Sequence, residues 1–388
     1  MRVLMVSSGY YPNYSGGVEE FVRGLSEGLV KKGNDVCVIY ASDEDKEYYV
    51  NNVKVIAIKI KCLKENKIFH FVNRLLQLYN PFNKRIFNRI IDDFKPDIIH
   101  LHMVRSLSLS ILDVAFNKKI KTISTLHEYF SLWNFNPFSG MEYIKTSKAP
   151  FYLFFLRNKQ RKLTKKVNFI TAPIEDIINI YKEEKYYLGV DSKVINNAIL
   201  LDKNYLPKNK GKKFKFLLLS RLMPFKGLEL SLESFSKISN KNIELHIAGS
   251  GYLEKMVLDY QKKDKRIKYH GFVMDNKKEK LLNECNCLLF AVDDLETFGL
   301  SALEALHHGM PVITSSVPAT IKLIDDNKNG YILKNKTVED MIKCMDDMVN
   351  CNYSSFSKNA IKKANKFSYE KMIDEYIKIY KKVIMEEK

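Results

Sequence analysis

Short apolar runs alternate with amphipathic stretches along almost the whole chain. The opening RVLMVSS is too continuously apolar for a half-solvated strand and reads as one buried on both faces. VEEFVRGLSEGLVKKG follows with apolar positions at helical spacing and stops at Gly33. DVCVIYAS, VKVIAIKI, DIIHLHM, KTISTLH and NFITAP then read as further strands. After the polar, Lys- and Asn-rich stretch LDKNYLPKNKGKK the pattern restarts, with strands FKFLLLSRL, IELHIAG, IKYHG, CLLFAV and PVITSS separated by helical segments such as LELSLESFSKI. Strands separated by helices imply parallel sheets joined by crossovers. The expectation is an α/β protein of two doubly wound, Rossmann-like domains, residues 1–200 and 214–365, joined by a linker at 201–213. A long amphipathic helix, SYEKMIDEYIKIYKKVIMEEK, ends the chain. Ligands of such sheets lie at the carboxyl ends of the strands, so the cleft between the domains is the expected site.

Composition narrows the classes. The 388 residues are 46% apolar and 28% charged, a globular balance with room for two cores. No run approaches the roughly 20 apolar residues a membrane-spanning helix needs. The first residues read as a core strand rather than a signal peptide, and a cytoplasmic protein is expected. Six cysteines include Cys285 and Cys287 in a C-x-C spacing, which suits buried free thiols better than a metal site. The formal charge of +18 is spread over both halves rather than gathered in a tail. It suits anionic partners such as nucleotides, nucleic acid or an acidic membrane surface, and equally a Lys-rich composition with no such role.

The chemistry gathers at two strand ends of the second half. In 296-ETFGLSALEA-305 a loop leaves the strand CLLFAV and a helix starts near Gly299. The amides of Phe298, Gly299 and Leu300 are then expected to be unpaired donors at a helix N-terminus, a seat for phosphate. Glu296 stands at its mouth and suits a neutral, hydroxyl-bearing group such as a sugar. Glu304, further along the helix, can accept hydrogen bonds from the vicinal hydroxyls of a ribose. In SRLMPFKG, Arg221 ends the first strand of this half and Lys226 precedes a helix, two cations placed to grip a pyrophosphate.

Weaker signals lie elsewhere. Gly16 and Gly17 sit between the first strand and first helix and permit positive φ and close backbone approach to a ligand. Neither they nor Gly249-Ser250-Gly251 complete G-x-G-x-x-G, since position 254 is Glu, which disfavours a dehydrogenase. His127 ends KTISTLH and opens an acidic-aromatic loop; His100 and His102 alternate at the end of DIIHLHM, His100 as a core histidine. His307 and His308 are adjacent on a helix, diverging by roughly 100°, and read as a helix end rather than a metal site. Asp43-Glu44-Asp45 reads as an exposed loop.

GGVE, TLHEYF, VINNAI, SRLMPFKG, IAGSG, ETFGLSALEA and HGMPVITS, in this order, resemble glycosyltransferase family 4, the retaining, nucleotide-sugar-dependent enzymes of the GT-B fold also grouped as glycosyl transferases group 1. The resemblance covers nearly the whole chain, and its specific part is E-x7-E with the upstream R-x4-K. It implies that Glu296 binds the donor sugar, Phe298, Gly299 and Leu300 offer amides to the phosphates, and Glu304 binds ribose. Arg221 and Lys226 neutralise the pyrophosphate, with Gly249 beside them. Gly16 and Gly17 face the donor phosphates, His127 meets the sugar near its anomeric carbon, and the C-terminal helix, about 366–388, packs back on the first domain. Thr297, Glu128 and Asn196-Asn197-Ala198 depart from the commoner pattern, and Ala198 gives up backbone freedom near the hinge.

Fixed cations and a helix end can stabilise a leaving nucleoside diphosphate, so neither metal nor other cofactor is expected. The resemblance implies front-face attack by an acceptor hydroxyl, and a UDP-sugar is favoured over GDP-mannose. The acceptor is expected to be a glycan or lipid-linked glycan, in assembly of surface polysaccharide or glycolipid. Residues 67–90 and 149–167 interleave Phe, Leu and Tyr with Lys and Arg and suit the inner face of an anionic membrane. No nucleic-acid partner is expected, because no RNA-reading or helix-turn-helix signature is present. A nucleotide-sugar epimerase of the same fold and a non-catalytic nucleotide-sugar-binding relative are the alternative readings.

Overall fold

The computed structural model describes residues 1–12, 16–60, 76, 79–104, 107–129, 134–136, 140–142, 151–200, 204–294 and 296–386. The chain divides into two compact units, Met1–Asn197 with Tyr369–Lys388, and Ala198–Ser368.

Unit 1 runs β1 (Arg2–Ser7), α1 (Gly17–Lys31), β2 (Asp35–Ser42), β3 (Lys46–Val50), β4 (Val53–Lys59), α2 (Asn83–Phe94), β5 (Ile98–Leu101), α3 (Ser110–Asn117), β6 (Lys121–Thr125), β7 (Asn134–Asn136), β8 (Gly140–Glu142), α4 (Phe151–Thr164), β9 (Phe169–Ala172), α5 (Glu175–Glu183) and β10 (Asp191–Val194). Unit 2 runs β11 (Phe214–Leu219), a 3-10 turn (Pro224–Lys226), α6 (Leu228–Lys237), β12 (Ile243–Ala248), α7 (Glu254–Lys263), β13 (Ile267–Tyr269), α8 (Asp275–Glu284), β14 (Cys287–Phe290), α9 (Leu300–His307), β15 (Val312–Ser315), α10 (Pro318–Ile321), β16 (Gly330–Leu333), α11 (Val338–Asn350) and α12 (Tyr353–Ala364). The chain then returns to unit 1 as α13 (Tyr369–Met385).

Both main sheets are wound outward from an inner pair of strands. Unit 1 has the order β10-β9-β6-β5-β1-β2-β4-β3, parallel except for β3, which pairs antiparallel with β4 at the edge. Unit 2 has the order β13-β12-β11-β14-β15-β16, parallel throughout. From β1 the chain first adds strands on one side, then returns to place β5 on the other; from β11 it does the same with β14. Helices that start from neighbouring strands on opposite sides leave a crevice at the carboxyl ends between them. The switch points are therefore β1/β5 and β11/β14.

The strands read as apolar runs because helices cover both faces. Leu4, Val6, Val38, Ile39, Ile98 and Ile123 are fully buried in unit 1, and Phe216, Leu217, Leu245, Ile247 and Leu288 in unit 2. In unit 1, α13 lies along α1, and two glycines let it approach. A Cβ on Gly24 would lie 2.2 Å from the Tyr369 ring, and one on Gly28 only 2.0 Å from Ile373 Cδ1. Tyr376 and Tyr380 carry this helix's hydroxyls into the core, where Tyr380 meets His100 Nδ1 at 2.6 Å and Tyr376 meets Thr125 at 3.1 Å.

The stretch expected as an interdomain linker is anchored where it is described. The Lys208 amide donates to Ser357 and its ammonium to the carbonyls of Leu282 and Cys285 at the end of α8. Lys210 donates to the carbonyls of Val349 and Cys351. Residues 204–213 are thus a strap bound to unit 2: lysines fill the unpaired carbonyls of two helix ends. The division between the units falls at Asn197/Ala198 and Ser368/Tyr369.

Candidate active site

The β11/β14 switch point brings together the residues singled out in the second half. After β11, Arg221 is exposed, and its guanidinium has no ionic partner among the described residues. The 3-10 turn then aims Lys226 across the crevice at the loop that follows β14. Lys226 Nζ meets Glu296 Oε2 at 2.6 Å, with the two side chains only 15% and 12% exposed. A charge pair this sheltered is screened little by water, so it holds the two loops together.

The other carboxylate oxygen of Glu296 has an unexpected use. Oε1 accepts from the amides of Thr297 at 3.2 Å, Phe298 at 3.4 Å and Gly299 at 3.0 Å. The amides of Phe298 and Gly299 are therefore not free; the side chain that precedes them closes back over them. The reason is local: a carboxylate a few residues before a helix can reach the positive end of the helix dipole, as a capping side chain does. Gly299 makes the turn, with φ +88°, where a Cβ would lie 2.9 Å from the Phe290 ring. The Leu300 amide has no acceptor among the described residues. The Phe298 side chain is core, 1% exposed and edge-on to Phe367, so only its backbone faces the site.

Glu304, one turn into α9, is paired as well. Its Oε1 accepts from Lys278 Nζ of α8 at 2.6 Å. Gly249, at the end of β12, has φ +140° and donates to the carbonyl of Gly271; a Cβ there would sit 1.9 Å from the Ser220 carbonyl oxygen. It serves the site by letting the β12 turn press against the backbone that carries Arg221.

In unit 1, the β1/β5 switch point has the loop before α1 on one side and His102 on the other. Gly16 is the N-cap of α1 with φ −154°, extended backbone open to any residue, and Gly17 is the first helical residue. Neither glycine takes the positive φ it permits, because a β-to-helix entry needs only an extended cap. His127 follows β6 and is 6% exposed, with the Phe21 ring of α1 edge-on at 4.8 Å. Its Nε2 lies 3.0 Å from His102 Nδ1. Burial pushes the pKa of His127 down to about 3, and those of His100 and His102 well below the ordinary histidine value. His100 is a satisfied core residue, its nitrogens bonded to Tyr380 and to Thr125 at 2.7 Å.

Family models match this arrangement end to end: Glycosyltransferase Family 4 over residues 15–203 and Glycosyl transferases group 1 over residues 203–380. The chain belongs to the family 4, group 1 glycosyltransferases. It is a glycosyl-transferring enzyme of the GT-B fold, α/β with two parallel-sheet, Rossmann-like domains. An uncharacterized 42.6 kDa protein in the cps region of Klebsiella pneumoniae is 23% identical, with 98% of this chain and 100% of that one covered. Alpha-monoglucosyldiacylglycerol synthase of Streptococcus pneumoniae is 24% identical over 86% of this chain and 75% of its own length. Among solved structures, Anabaena HepE in complex with UDP and glucose superposes with a TM-score of 0.71 at 13% identity, covering 98% of this chain and 100% of that one.

Two residues of this glycosyltransferase escaped the sequence reading. Lys278 is one of several lysines in DNKKEKLLNE, and nothing in that run distinguishes it as the partner of Glu304. His102 left a signal in the H-x-H alternation, which puts both imidazoles on one face of β5; their ring centroids are 3.9 Å apart. Of the basic-aromatic stretches, residues 67–75, 77–78 and 149–150 lie outside the described residues. Among the rest, Lys159 of the second stretch stands 3.3 Å from the Tyr79 ring centroid of the first, and Lys84 and Lys166, one from each, share Asp113 at 2.9 and 2.7 Å. Phe82 and Phe155 remain 78% and 63% exposed. Asp45 accepts from the Lys59 amide at 2.8 Å, the role of a turn residue leading into β3. Among the described residues no helix is long and apolar enough to cross a membrane.

Proposed function

We propose that this glycosyltransferase moves a sugar from a nucleoside diphosphate, UDP ahead of GDP, to a glycan or lipid-linked glycan hydroxyl, with retention and without a metal. One observation carries the reading: the β11/β14 crevice joins Lys226, Glu296 and a helix N-terminus in one hydrogen-bonded group, with Arg221 on the same loop as Lys226. Arg221 and Lys226 neutralise the departing pyrophosphate, aided by the Leu300 amide and by those of Phe298 and Gly299 once Glu296 turns away from them. Glu296 then accepts from sugar hydroxyls, and Glu304 from the ribose. From unit 1, Gly16 and Gly17 meet the phosphates through backbone, and His127 meets the sugar. UDP in the HepE complex supports the choice of base.

The bond from the anomeric carbon to the phosphate oxygen breaks while the acceptor oxygen bonds to that carbon on the same face. The acceptor proton goes to the phosphate oxygen that leaves. No carboxylate is needed as a covalent partner.

For the acceptor, exposed Phe82 and Phe155, each in a stretch rich in lysine and arginine, suit contact with an anionic bilayer. The name of the Streptococcus relative, alpha-monoglucosyldiacylglycerol synthase, agrees with a lipid acceptor. Thermal-shift titration with UDP, GDP and ADP in EDTA tests the donor. A selective rise with UDP supports it; no rise with any nucleotide overturns the metal-free donor site. Sedimentation with vesicles containing anionic lipid, weakened by Phe82→Ser with Phe155→Ser, tests the surface.

A further inference from the structure

His127 presents one imidazole edge to His102 and has no partner on its Nδ1 among the described residues. Which hydrogen that free nitrogen carries decides whether it can donate to a sugar oxygen or only accept from a hydroxyl. His102 contains the information. It is 8% exposed, lies in contact with the rings of His100 and His127, and its Nε2 is fully buried with no hydrogen-bond partner among the described residues.

Only two arrangements join neutral imidazoles through this pair of nitrogens. In one, His127 Nε2–H donates to His102 Nδ1, and His102 must then carry its own hydrogen on the buried, partnerless Nε2. In the other, His102 Nδ1–H donates to His127 Nε2, and the idle atom is a bare lone pair. A buried N–H with no acceptor is the rarer state in folded proteins, while an acceptor with unused capacity is tolerated more often. Neither ring is charged near neutral pH, since burial lowers both pKa values, so a single hydrogen lies between them.

We propose that His102 is a positioning residue that donates from Nδ1 to His127 Nε2 and thereby fixes His127 as its Nδ1–H tautomer, a neutral donor to an oxygen of the bound sugar. The role of His127 at the sugar rests on the proposed function; the tautomer does not. Phe21, edge-on to His127, fixes the ring's plane, and the His102 bond fixes its rotation within that plane. A neutral donor adds hydrogen-bond direction at the sugar without competing for the phosphates' negative charge.

The test uses the full chain with nitrogen-15-labelled histidine, the His127 signals being identified by their loss in His127→Asn. Long-range proton–nitrogen spectra should show the wild-type His127 protonated at Nδ1 and bare at Nε2. His102→Leu keeps bulk but removes the donor, and should release His127 into a mixture of tautomers. His102→Asn places an amide N–H near the lost Nδ1 and should restore the wild-type pattern. In transfer assays His102→Leu should lower kcat about tenfold with UDP affinity within twofold of wild type, and His102→Asn should recover most of that loss. A wild-type His127 protonated at Nε2 overturns the proposal, as does a folded His102→Leu variant with unchanged kcat, or a His102→Asn variant no better than His102→Leu. If the wild type transfers nothing to any acceptor, the proposed function fails, while the spectra still decide the tautomer.

Discussion

Glu296 occupies the seat proposed for the donor's phosphate, so removing its charge should separate binding from chemistry. Glu296→Gln keeps the side chain's shape and an oxygen for the amides of Thr297 and Gly299, now 3.2 and 3.0 Å from Oε1. It cancels the carboxylate that pairs with Lys226 at 2.6 Å. A carboxylate and a phosphate about 5 Å apart in an effective dielectric of about 20 repel by ~3 kcal/mol. The wild type avoids this by turning the carboxylate away, which costs the contact with Lys226. If about half of that figure survives as a net penalty, relieving it tightens UDP binding roughly tenfold. The same change removes a charge-assisted bond worth ~2 kcal/mol to the free protein. For a unit of this size the melting point should fall by about 4–8 °C. Transfer should drop about a hundredfold or more, because the sugar loses its acceptor group. Calorimetric titration of UDP, melting curves and initial rates give the three readings. A folded Glu296→Gln variant that binds UDP no better than wild type refutes the idea that Glu296 stands in for phosphate.

Three further outcomes follow from the geometry. Glu304→Ala should weaken UDP binding roughly tenfold, by loss of charge-assisted ribose contacts, while binding of inorganic pyrophosphate stays within twofold; equal loss for both would move Glu304 off the ribose. Gly249→Ala should cost about 2–4 kcal/mol in urea unfolding, since its Cβ would meet the Ser220 carbonyl oxygen at 1.9 Å; an unchanged midpoint would contradict the close approach beside Arg221. Because burial holds the folded His127 pKa at about 3, below the unfolded value of about 6.5, the unfolded chain binds the extra proton first. Its contribution to stability is present above about pH 6.5 and is lost at up to ~1.4 kcal/mol per pH unit as pH falls toward 3. Urea midpoints between pH 7 and 5 should fall less steeply in His127→Asn than in wild type, and equal slopes would count against a buried neutral His127.

Much of this was legible in the residues. Buried strands announce themselves as apolar runs, and both Rossmann-like units could be drawn from RVLMVSS onward. The short strands β3 and β16 and the helices α10, α11 and α12 were not drawn. KEYYV has too few apolar positions to signal an edge strand, and GYIL is too short to stand out. Arg221, Lys226, Glu296 and Glu304 were visible because strand-end loops in such sheets carry the chemistry and E-x7-E with R-x4-K is specific.

What the sequence alone determined, then, was the class of each segment and the chemical types at the strand ends, because periodicity and turn chemistry act over a few neighbouring residues. Only the tertiary structure decided who faces whom. Lys226 and Glu296 are 70 positions apart and meet because the strand order reverses between β11 and β14. Lys278 reaches Glu304 from another helix, and His102 reaches His127 from the neighbouring strand. Even Glu296, read as open to a sugar, turns back on its own helix. Such pairings depend on which strands adjoin and which polar groups find no water, and a local pattern holds neither.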